Sequence, residues 1–278
     1  MIKLGLIGYP LGHSLSPKIQ NAALNSCGLD GSYSLFPIRP DDKQGLKDLL
    51  ACVRSGEIVG VNVTIPHKQN VIEFLDELTP TAKTIGAVNT IYLQGNKLIG
   101  ENTDAPGFLS HLKKFLTTET RRHGDLRALI LGAGGAARAV AYPLTRDGWQ
   151  VSLAARRTEQ ANELAKQMAE VRVIEYNVKT FEHFNVQLIV NTTPLGMTPN
   201  IDQSPWPRGL PFPSRAAIYD LVYNPPETRL VKDARAQGLP ATTGLGMLIE
   251  QAALAFEIWT GRKPQRQSLV DAVRSTAH

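Results

Sequence analysis

A glycine-rich turn between an apolar run and an alanine-rich stretch most limits what this chain can fold into. The run 126–131 predicts a strand, the stretch 136–144 predicts a helix, and the turn Gly132-Ala-Gly-Gly-Ala-Ala137 joins them. A G-x-G-x-x-A turn in this context is typical of a loop that binds the pyrophosphate of a dinucleotide. Gly132 allows the tight turn and Gly134 lets the backbone approach phosphate oxygens, so we predict a Rossmann-like unit.

The residues after the next strand indicate which dinucleotide binds. The run 150–155 predicts that strand, and Arg156 and Arg157 follow it at the point where an NAD site would carry an acidic residue for the ribose. Two guanidinium groups at this point can bind a 2′-phosphate, and the prediction is therefore NADP rather than NAD. The alternative is a glycine-rich turn before an ordinary helix, with two solvated arginines.

Length and composition favour a globular protein with two domains. The 278 residues suffice for two modest domains, and 42% of them are hydrophobic. No segment approaches about 18 continuous apolar residues, which argues against a membrane span. Cys27 and Cys52 are the only cysteines, so a cytoplasmic, reduced protein is the simpler expectation. The six histidines are scattered without metal-ligand spacing, and we expect no metal site.

The basic net charge has two interpretations. A formal charge of +5 could attract anionic small molecules, or it could reflect ordinary surface solvation. The basic residues do not form a stripe with interleaved aromatic residues, so nucleic-acid binding has little support.

Strand and helix patterns alternate along the whole chain, which favours an α/β fold with mostly parallel sheets. The boundaries that matter most are a first helix with Ser16 as its N-cap, strands over 58–65 and 85–93, a polar connection over 117–124, a proline-rich loop over 198–213 with a surface or active-site role, and a final helix over 247–259.

A proton donor for a carbonyl group is best sought in the segment Asn62-Val-Thr-Ile-Pro-His-Lys68. We expect a strand to end at Pro66 and a helix to begin at once, which places Lys68 in its first turn. A lysine there can donate a proton to a carbonyl oxygen and take it back. Asp104 is its natural partner, although an aspartate before a helix is also a routine cap. His67 is a competing acid–base group and ranks second, because the sequence offers it no partner.

Three further polar residues are candidate substrate ligands. Ser14 and Ser16 lie just before a predicted helix N-terminus, which is a plausible cradle for a carboxylate. Simple capping by Ser16 is the alternative. Asn89 could bind a hydroxyl group with its amide, and a turn or capping role is the alternative there.

Seven segments, in order around the nucleotide loop, together resemble the shikimate dehydrogenase family. Each segment is weak alone, but the ordered set is highly specific and covers most of the chain. The segments are Gly8-Tyr-Pro-Leu-Gly-His-Ser-Leu-Ser-Pro17, Asn62-Val-Thr-Ile-Pro-His-Lys68, Gly86-Ala-Val-Asn-Thr90, Asn102-Thr-Asp104, Asn191-Thr-Thr-Pro-Leu-Gly-Met197, Tyr219-Asp-Leu-Val-Tyr223 and Gly244-Leu-Gly-Met-Leu-Ile-Glu-Gln251.

The resemblance implies a reversible reduction of 3-dehydroshikimate to shikimate with NADPH, in the shikimate pathway of chorismate and aromatic amino acid biosynthesis. Lys68 and Asp104 would be the catalytic pair, and Ser14 and Ser16 would bind the substrate carboxylate. The remaining substrate ligands implied by the resemblance are Thr64, Asn89, Asp104 and Gln251 for the hydroxyls, with Tyr223 closing against the substrate.

The resemblance also implies the domain organisation and the coenzyme site. A substrate-binding and catalytic α/β domain would comprise residues 1–103 and 244–278, and a doubly wound Rossmann-like NADP-binding domain would comprise 104–243, with the active site in the cleft between them. A monomer or homodimer in the cytoplasm is expected. The implied coenzyme ligands are Gly132, Ala133, Gly134, Gly135, Ala136, Arg156, Arg157, Thr192, Leu221, Gly244 and Met247.

One departure from the family pattern concerns the coenzyme. The family's usual Asn-Arg-Thr after the second nucleotide strand is here Ala155-Arg156-Arg157, so the phosphate-binding arginine is kept and the asparagine contact to the ribose is missing. Arg157 could compensate as a second phosphate ligand.

Three other functions stay open at this point. They are a quinate/shikimate dehydrogenase paralogue, another NADP-dependent two-domain enzyme such as a folate dehydrogenase, and a non-catalytic NADP-binding sensor. A folate dehydrogenase fits poorly with the serine pair and with the pair of Lys68 and Asp104. A sensor would not need both Lys68 and Asp104.

Overall fold

The computed structural model describes residues 1–116, 126–168 and 170–274. The chain forms two compact units, Met1–Gly107 with Ile249–His278, and Phe108–Leu248. The polar connection predicted over 117–124 lies outside the described residues. None of the helices in the described ranges has the length and apolar character that a membrane span requires.

Strands and helices alternate through both units, and this confirms the predicted α/β fold class. The strands are β1 (Ile2–Gly8), β2 (Gly31–Pro37), β3 (Gly60–Val63), β4 (Glu77–Leu78), β5 (Thr90–Gln94), β6 (Lys97–Glu101), β7 (Arg127–Leu131), β8 (Gln150–Ala154), β9 (Val171–Ile174), β10 (Leu188–Asn191), β11 (Ala217–Asp220) and β12 (Ala241–Thr243). The α-helices are α1 (Ser16–Ser26), α2 (Lys43–Arg54), α3 (His67–Asn70), α4 (Pro80–Ile85), α5 (Asp104–Phe115), α6 (Gly135–Arg146), α7 (Thr158–Gln167), α8 (Val178–Glu182), α9 (Arg229–Ala236), α10 (Leu245–Thr260) and α11 (Arg266–Arg274).

The first unit is built on a mixed sheet with the strand order β2-β1-β3-β5-β6-β4. The pairs β1–β2, β1–β3 and β4–β6 are parallel, whereas β3–β5 and β5–β6 are antiparallel. The turn at Gly95, with φ of 60°, joins β5 to β6. A connection this short can only join antiparallel neighbours, because parallel strands need a long crossover. One face of the sheet is covered by α2, which buries Leu46, Leu50 and Val53.

Local capping signals override the predicted strand over 85–93. Thr79 caps α4 by accepting a hydrogen bond from the backbone N–H of Ala82, and Pro80 occupies its first turn. Gly86, with φ of 68°, ends the helix in the left-handed conformation. The strand therefore begins only at Thr90, and the apolar residue Ile85 belongs to the helix.

Two other sequence-based boundaries were also wrong. Ser16 is the first residue of α1 and not its N-cap, a position that Leu15 occupies. The helix predicted over 247–259 is α10, but it is not the last helix, because α11 follows it and packs against α1. The buried residues of α11, Leu269 and Val273, are only one turn apart, which is too short a periodic pattern to stand out in the sequence.

The second unit contains a parallel sheet with the order β9-β8-β7-β10-β11-β12. Numbered from β7, this is the 3-2-1-4-5-6 order of dinucleotide-binding sheets. The order reverses direction between β7 and β10, and ligands bind at such a switch point, outside the carboxyl ends of the strands.

The proline-rich loop over 198–213 fills the core on one face of this sheet. Trp206 and Phe212 are buried in a cluster with Leu131, Ile189 and Ile218 from the strands. The sequence-based expectation of a surface or active-site role missed this packing, because single aromatic residues between prolines carry no periodic signal.

Candidate active site

Residues from several segments of the first unit meet at one edge of its sheet. Strands β1 and β3 are adjacent and parallel, so both end at the same edge of the sheet. Since β5 is antiparallel to β3 and to β6, β5 begins at this edge and β6 ends there. The segments after β1, β3 and β6 and before β5 therefore lie at the same edge. These four segments carry Ser14 and Ser16, Thr64 and Lys68, Asp104, and Asn89, respectively.

Lys68 and Asp104 form an ion pair at this edge. Lys68 lies in α3, directly after β3, and Asp104 is the first residue of α5, directly after β6. Lys68 Nζ donates a hydrogen bond to Asp104 Oδ2 at 2.6 Å, and the two side chains are 24% and 11% exposed. Asn102 caps α5 through its Oδ1, which accepts from the N–H of Ala105 at 3.1 Å. The carboxylate of Asp104 is thus available to Lys68 and does not serve as the cap.

Asn89 joins α10 to the edge of the sheet. Its Nδ2 donates to Thr103 Oγ1 at 2.9 Å and to Gln251 Oε1 at 3.2 Å, and its Oδ1 accepts from the N–H of Thr103 at 2.7 Å. The backbone N–H of Val88 donates to the carbonyl of Lys68 at 2.7 Å. Asn89 and Gln251 are therefore held together, and the segment that carries Asn89 is fixed to the helix that carries Lys68.

Sequence reasoning did not single out two members of this cluster. Thr103 contacts Asn89, and Asn62 donates from its Nδ2 to the carbonyl of Asn89 at 3.1 Å and to Thr90 Oγ1 at 3.2 Å. Both residues are buried. Since buried polar side chains need hydrogen-bond partners, a polar residue within an apolar strand such as β3 is the signal that could have found Asn62.

The two serines lie at the start of α1. Ser14 Oγ accepts a hydrogen bond from the backbone N–H of Ser16 at 3.2 Å, and both side chains are partly exposed. Thr64 follows β3 and packs against Gly8, where any Cβ would overlap the methyl group of Thr64. A glycine at this position lets the segments after β1 and β3 approach each other.

His67 has a structural role. Its ring is buried, and Nε2 lies 2.7 Å from the carbonyl oxygen of Ile38. A ring nitrogen bonded to a backbone carbonyl holds the start of α3 against the segment after β2. His67 therefore no longer competes with Lys68 as an acid–base group.

The glycine loop of the second unit fits a pyrophosphate. Gly132 has φ of 116°, and a Cβ there would lie 2.6 Å from Thr192 Oγ1. Around Gly134 and Gly135, in contrast, a Cβ would meet no atom within 4 Å. The first bond of the α6 ladder runs from the N–H of Arg138 to the carbonyl of Gly134. The N–H groups ahead of it adjoin open space at a helix N-terminus, which is a favourable site for an anion.

The other predicted coenzyme ligands follow the carboxyl ends of the same parallel strands. Arg156 and Arg157 follow β8 and are exposed, so their guanidinium groups are accessible to a 2′-phosphate. Gly244 follows β12, and a Cβ there would overlap the carbonyl of Leu221. Met247 is buried in the core of this unit. The remaining predicted ligands follow the same strands: Ala133 lies in the loop after β7, Ala136 in the first turn of α6, Thr192 after β10 and Leu221 after β11.

Tyr223 belongs to the second unit, three residues after the end of β11. Its side chain is half-buried, and burial raises the pKa of its phenol above the usual value. The contact of Tyr223 with substrate stays a prediction.

Asp220, the last residue of β11, is a fully buried carboxylate in the second unit. Its Oδ1 accepts from Asn191 Nδ2 at 2.8 Å and from the N–H of Val222 at 3.0 Å, and its Oδ2 accepts from Thr228 Oγ1 at 2.6 Å. Burial raises the pKa of Asp220 to about 6, and these hydrogen bonds oppose the rise only in part. Asp220 therefore ties the end of β10 to the segment after β11.

The raised pKa of Asp220 predicts a specific dependence of stability on pH. Because the native state binds this proton more tightly than the unfolded state, the stabilisation is fully present below the unfolded pKa and is lost as the pH rises through about 6. Urea titrations of the wild type and Asp220→Asn should show the wild type gaining about 1 kcal/mol relative to the variant between pH 7 and pH 5. Parallel curves for the two proteins would contradict the assignment.

The sheet order, the glycine loop after β7 and the basic residues after β8 define a Rossmann-type, dinucleotide-binding protein. Residues 6–91 match the family described as the shikimate dehydrogenase substrate binding domain, and residues 244–274 match the shikimate 5'-dehydrogenase C-terminal domain. The chain belongs to the shikimate dehydrogenase family, which confirms the family and the enzyme class predicted from the sequence.

Individual proteins support the same conclusion. The chain is 41% identical to the shikimate dehydrogenase (NADP(+)) of Salinibacter ruber, over 97% of this chain and 96% of that protein. The crystal structure of shikimate 5-dehydrogenase from Thermus thermophilus in complex with NADP(H) and shikimate is 38% identical, with a TM-score of 0.86 and 99% of each chain covered. The crystal structure of ligand-free 5-ketofructose reductase of Gluconobacter sp. strain CHM43 is 30% identical, with a TM-score of 0.85. The match covers 99% of this chain and 98% of that chain.

Proposed function

We propose that this chain catalyses the reversible, NADPH-dependent reduction of 3-dehydroshikimate to shikimate, a step in the shikimate pathway of chorismate and aromatic amino acid biosynthesis. Family membership supports the substrate and the coenzyme. The observation that carries the chemistry is the ion pair between Lys68 Nζ and Asp104 Oδ2 at 2.6 Å. A lysine ammonium held by a carboxylate is a suitable acid for a carbonyl that becomes an alcohol.

Reduction of a ketone requires a hydride at the carbonyl carbon and a proton at its oxygen. When bound, NADPH supplies the hydride. Lys68 donates the proton to the carbonyl oxygen, and Asp104 orients the ammonium and accepts a hydrogen bond from a substrate hydroxyl. In the reverse direction Lys68 takes the proton back. The buried neighbours of Asp104 exclude water. This strengthens the ion pair with Lys68 and the hydrogen bond to the substrate hydroxyl, because charges interact more strongly in a less polar environment.

The other roles follow the chemistry of each side chain. Ser14 and Ser16 bind the substrate carboxylate at the start of α1, where the helix dipole favours an anion. Thr64, Asn89 and Gln251 bind its hydroxyl groups, and Tyr223 closes against the substrate. In this proposal the substrate-binding and catalytic domain, predicted from the sequence as residues 1–103 and 244–278, corresponds to the first unit, Met1–Gly107 with Ile249–His278, which contains Asp104.

In this proposal the coenzyme occupies the second unit, Phe108–Leu248, which corresponds to the coenzyme domain predicted from the sequence over 104–243. The N–H groups of the loop from Gly132 to Ala136 bind the pyrophosphate, and Arg156 and Arg157 bind the 2′-phosphate. Arg157 takes over part of the binding that the family's asparagine provides, since this chain has Ala155 instead. The ligands assigned to the nicotinamide half are Thr192, Leu221, Gly244 and Met247.

The assignment is tested by following NADPH absorbance after addition of 3-dehydroshikimate. Rapid oxidation of NADPH, with NADH much poorer, is the expected result. The reverse reaction should be run with shikimate and quinate against NADP and NAD, and 5-ketofructose should be included because a reductase of that ketone shares this fold. No turnover of 3-dehydroshikimate with either coenzyme would overturn the assignment, and faster turnover of quinate would support the paralogue.

Arg156→Ala should raise the KM for NADPH by about 10- to 100-fold, the effect of losing a charge-assisted hydrogen bond, with a smaller change in kcat. A contact remote from the reacting atoms contributes equally to the ground state and the transition state. The KM for NADH should not change, since NADH lacks the 2′-phosphate. Arg172→Ala, which removes an exposed arginine from β9, is the matched control. A selective fall in kcat would contradict the phosphate-binding role.

The remaining expectations concern assembly and location. A small anionic substrate is the partner in this proposal, with no nucleic acid, and the protein acts as a monomer or homodimer. A cytoplasmic location is supported by the free thiols of Cys27 and Cys52.

A further inference from the structure

His111 is a partly buried histidine of the second unit that the proposed chemistry does not use. It lies in α5, and its Nδ1 is 2.7 Å from the hydroxyl of Tyr219, a fully buried residue of β11. The two rings also meet edge to face, with their centres 5.6 Å apart. The ring of Tyr219 makes further edge contacts with Phe108 and Phe115. The hydroxyl and the ring of Tyr219 therefore fix the imidazole of His111 next to β11.

The imidazole also lies directly against Gly246, the second residue of α10. A Cβ at position 246 would lie 2.0 Å from Nε2, 2.1 Å from Cδ2 and 2.3 Å from Cε1 of His111. Real Cβ atoms do not approach other atoms so closely, so the ring occupies the space that a side chain would need. Gly246 does not have a positive φ, and the approach of the ring, rather than the backbone conformation, accounts for a glycine here.

The segment from Gly244 to Met247 thus has close neighbours at two of its residues. A Cβ at Gly244 would lie 2.1 Å from the carbonyl oxygen of Leu221, and Gly246 lies against the imidazole of His111. Met247, the next residue, is 8% exposed and belongs to the core of the second unit. No side chain separates the segment from these two neighbours, so its position depends directly on them.

We propose that His111 is a positioning residue that holds the segment from Gly244 to Met247 in place for the nicotinamide half of the coenzyme. The inference rests on the proposed function, in which Gly244 and Met247 are nicotinamide ligands. His111 acts through Gly246 and is not required to touch the coenzyme. Loss of the imidazole leaves a space into which the segment can move, and a misplacement of about 1 Å can slow a reaction by about 100-fold. His111 should therefore matter for hydride transfer and little for binding of the coenzyme phosphates.

The test is His111→Ala, studied in a single turnover from shikimate to NADP that is followed by the absorbance of NADPH. The expected result is a fall of about 10- to 100-fold in the rate of hydride transfer. The Kd for NADPH should change little, because the phosphate contacts remain. A misplaced segment lowers the rate of the single turnover, whereas a loss of folded protein lowers only its amplitude. His183→Ala, which removes an exposed histidine from the same unit, is the matched control and should change neither.

A double variant tests the contact between the imidazole and Gly246. Gly246→Ala places a methyl group where the imidazole lies, so this variant should also slow hydride transfer. In the His111→Ala background the methyl group has room and fills part of the space. The double variant should therefore transfer hydride at least as fast as His111→Ala alone, since residues in direct contact are not additive.

Tyr219→Phe carries the same test with a smaller structural change. It keeps the ring contacts and removes only the hydroxyl that holds the imidazole, and the rate should fall by about 3- to 10-fold, as for loss of a buried hydrogen bond. An unchanged rate in His111→Ala or Tyr219→Phe, a fall in amplitude alone, or additive effects of His111→Ala and Gly246→Ala would overturn the proposal. Failure of the proposed function would appear separately, as no hydride transfer from shikimate in the wild type.

Discussion

Replacement of Lys68 by alanine is expected to lower kcat by about 10²- to 10⁴-fold, the contribution of a positioned general acid–base group. The ammonium of Lys68 lies 2.6 Å from the carboxylate of Asp104, so the variant loses the proton donor and leaves a mostly buried carboxylate without its cation. NADPH binding should be retained, because the loop at Gly132 belongs to the other unit. The measurements are kcat for shikimate oxidation and the Kd for NADPH from fluorescence titration.

Two further variants make the Lys68 experiment specific. Lys83→Ala removes an exposed lysine from α4 of the same unit and should leave kcat unchanged. Lys68→Arg keeps the positive charge, but its guanidinium does not release a proton in the working range of pH, so it should not restore turnover. A Lys68→Ala protein that keeps more than about a tenth of the wild-type kcat would contradict general acid–base catalysis by this residue. Unchanged cellular function in that variant would favour the non-catalytic sensor.

Trp206→Ala should lower the free energy of unfolding by about 3–5 kcal/mol, as for other large aromatic residues removed from a core. Trp206 is stacked between Phe181 and Phe212, with ring centres 5.0 Å apart in both pairs and interplanar angles of 7° and 20°. Its Nε1 donates to the carbonyl of Leu210 at 3.0 Å, which closes the loop on itself. Urea titration at pH 7 measures the effect.

The control for Trp206 lies in the same loop. Ile201 is exposed, and Ile201→Ala should change the free energy of unfolding by less than about 0.5 kcal/mol. Folded Trp206→Ala protein should keep the wild-type KM for shikimate, because the loop packs on the core and the proposed substrate ligands lie outside it. If the KM for shikimate changed and the free energy of unfolding did not, the loop would have the active-site role predicted from the sequence.

The coenzyme half was readable from the sequence because its signals are local. The glycine turn, the strand before it and the arginines after the next strand each depend on residues close together in the chain, and the structure arranges them at the carboxyl ends of β7 and β8. The strand order of the second sheet then follows the common pattern of such units.

The substrate half was readable only in part, since its groups come from distant segments. Nothing near Asn62 in sequence indicates that its amide meets Tyr33 and Thr90, and nothing near Asn89 indicates Gln251. The helix at 80–85 was missed for a different reason: an apolar run looked like a strand, while the cap at Thr79 and the left-handed Gly86 decided the local structure. Long-range hydrogen bonds and caps therefore account for most of what sequence patterns did not reveal.

The amide of Asn89 finds its hydrogen-bond partners, Thr103 and Gln251, within the protein itself. A substrate hydroxyl that binds there exchanges one partner for another and does not fill an empty polar position. A site strongly rejects an analogue that lacks one hydroxyl group only when a buried donor or acceptor of the protein is then left without a hydrogen-bond partner. In the proposed site Asn89 can fall back on its protein partners, and we therefore expect this position to discriminate only weakly among polyols.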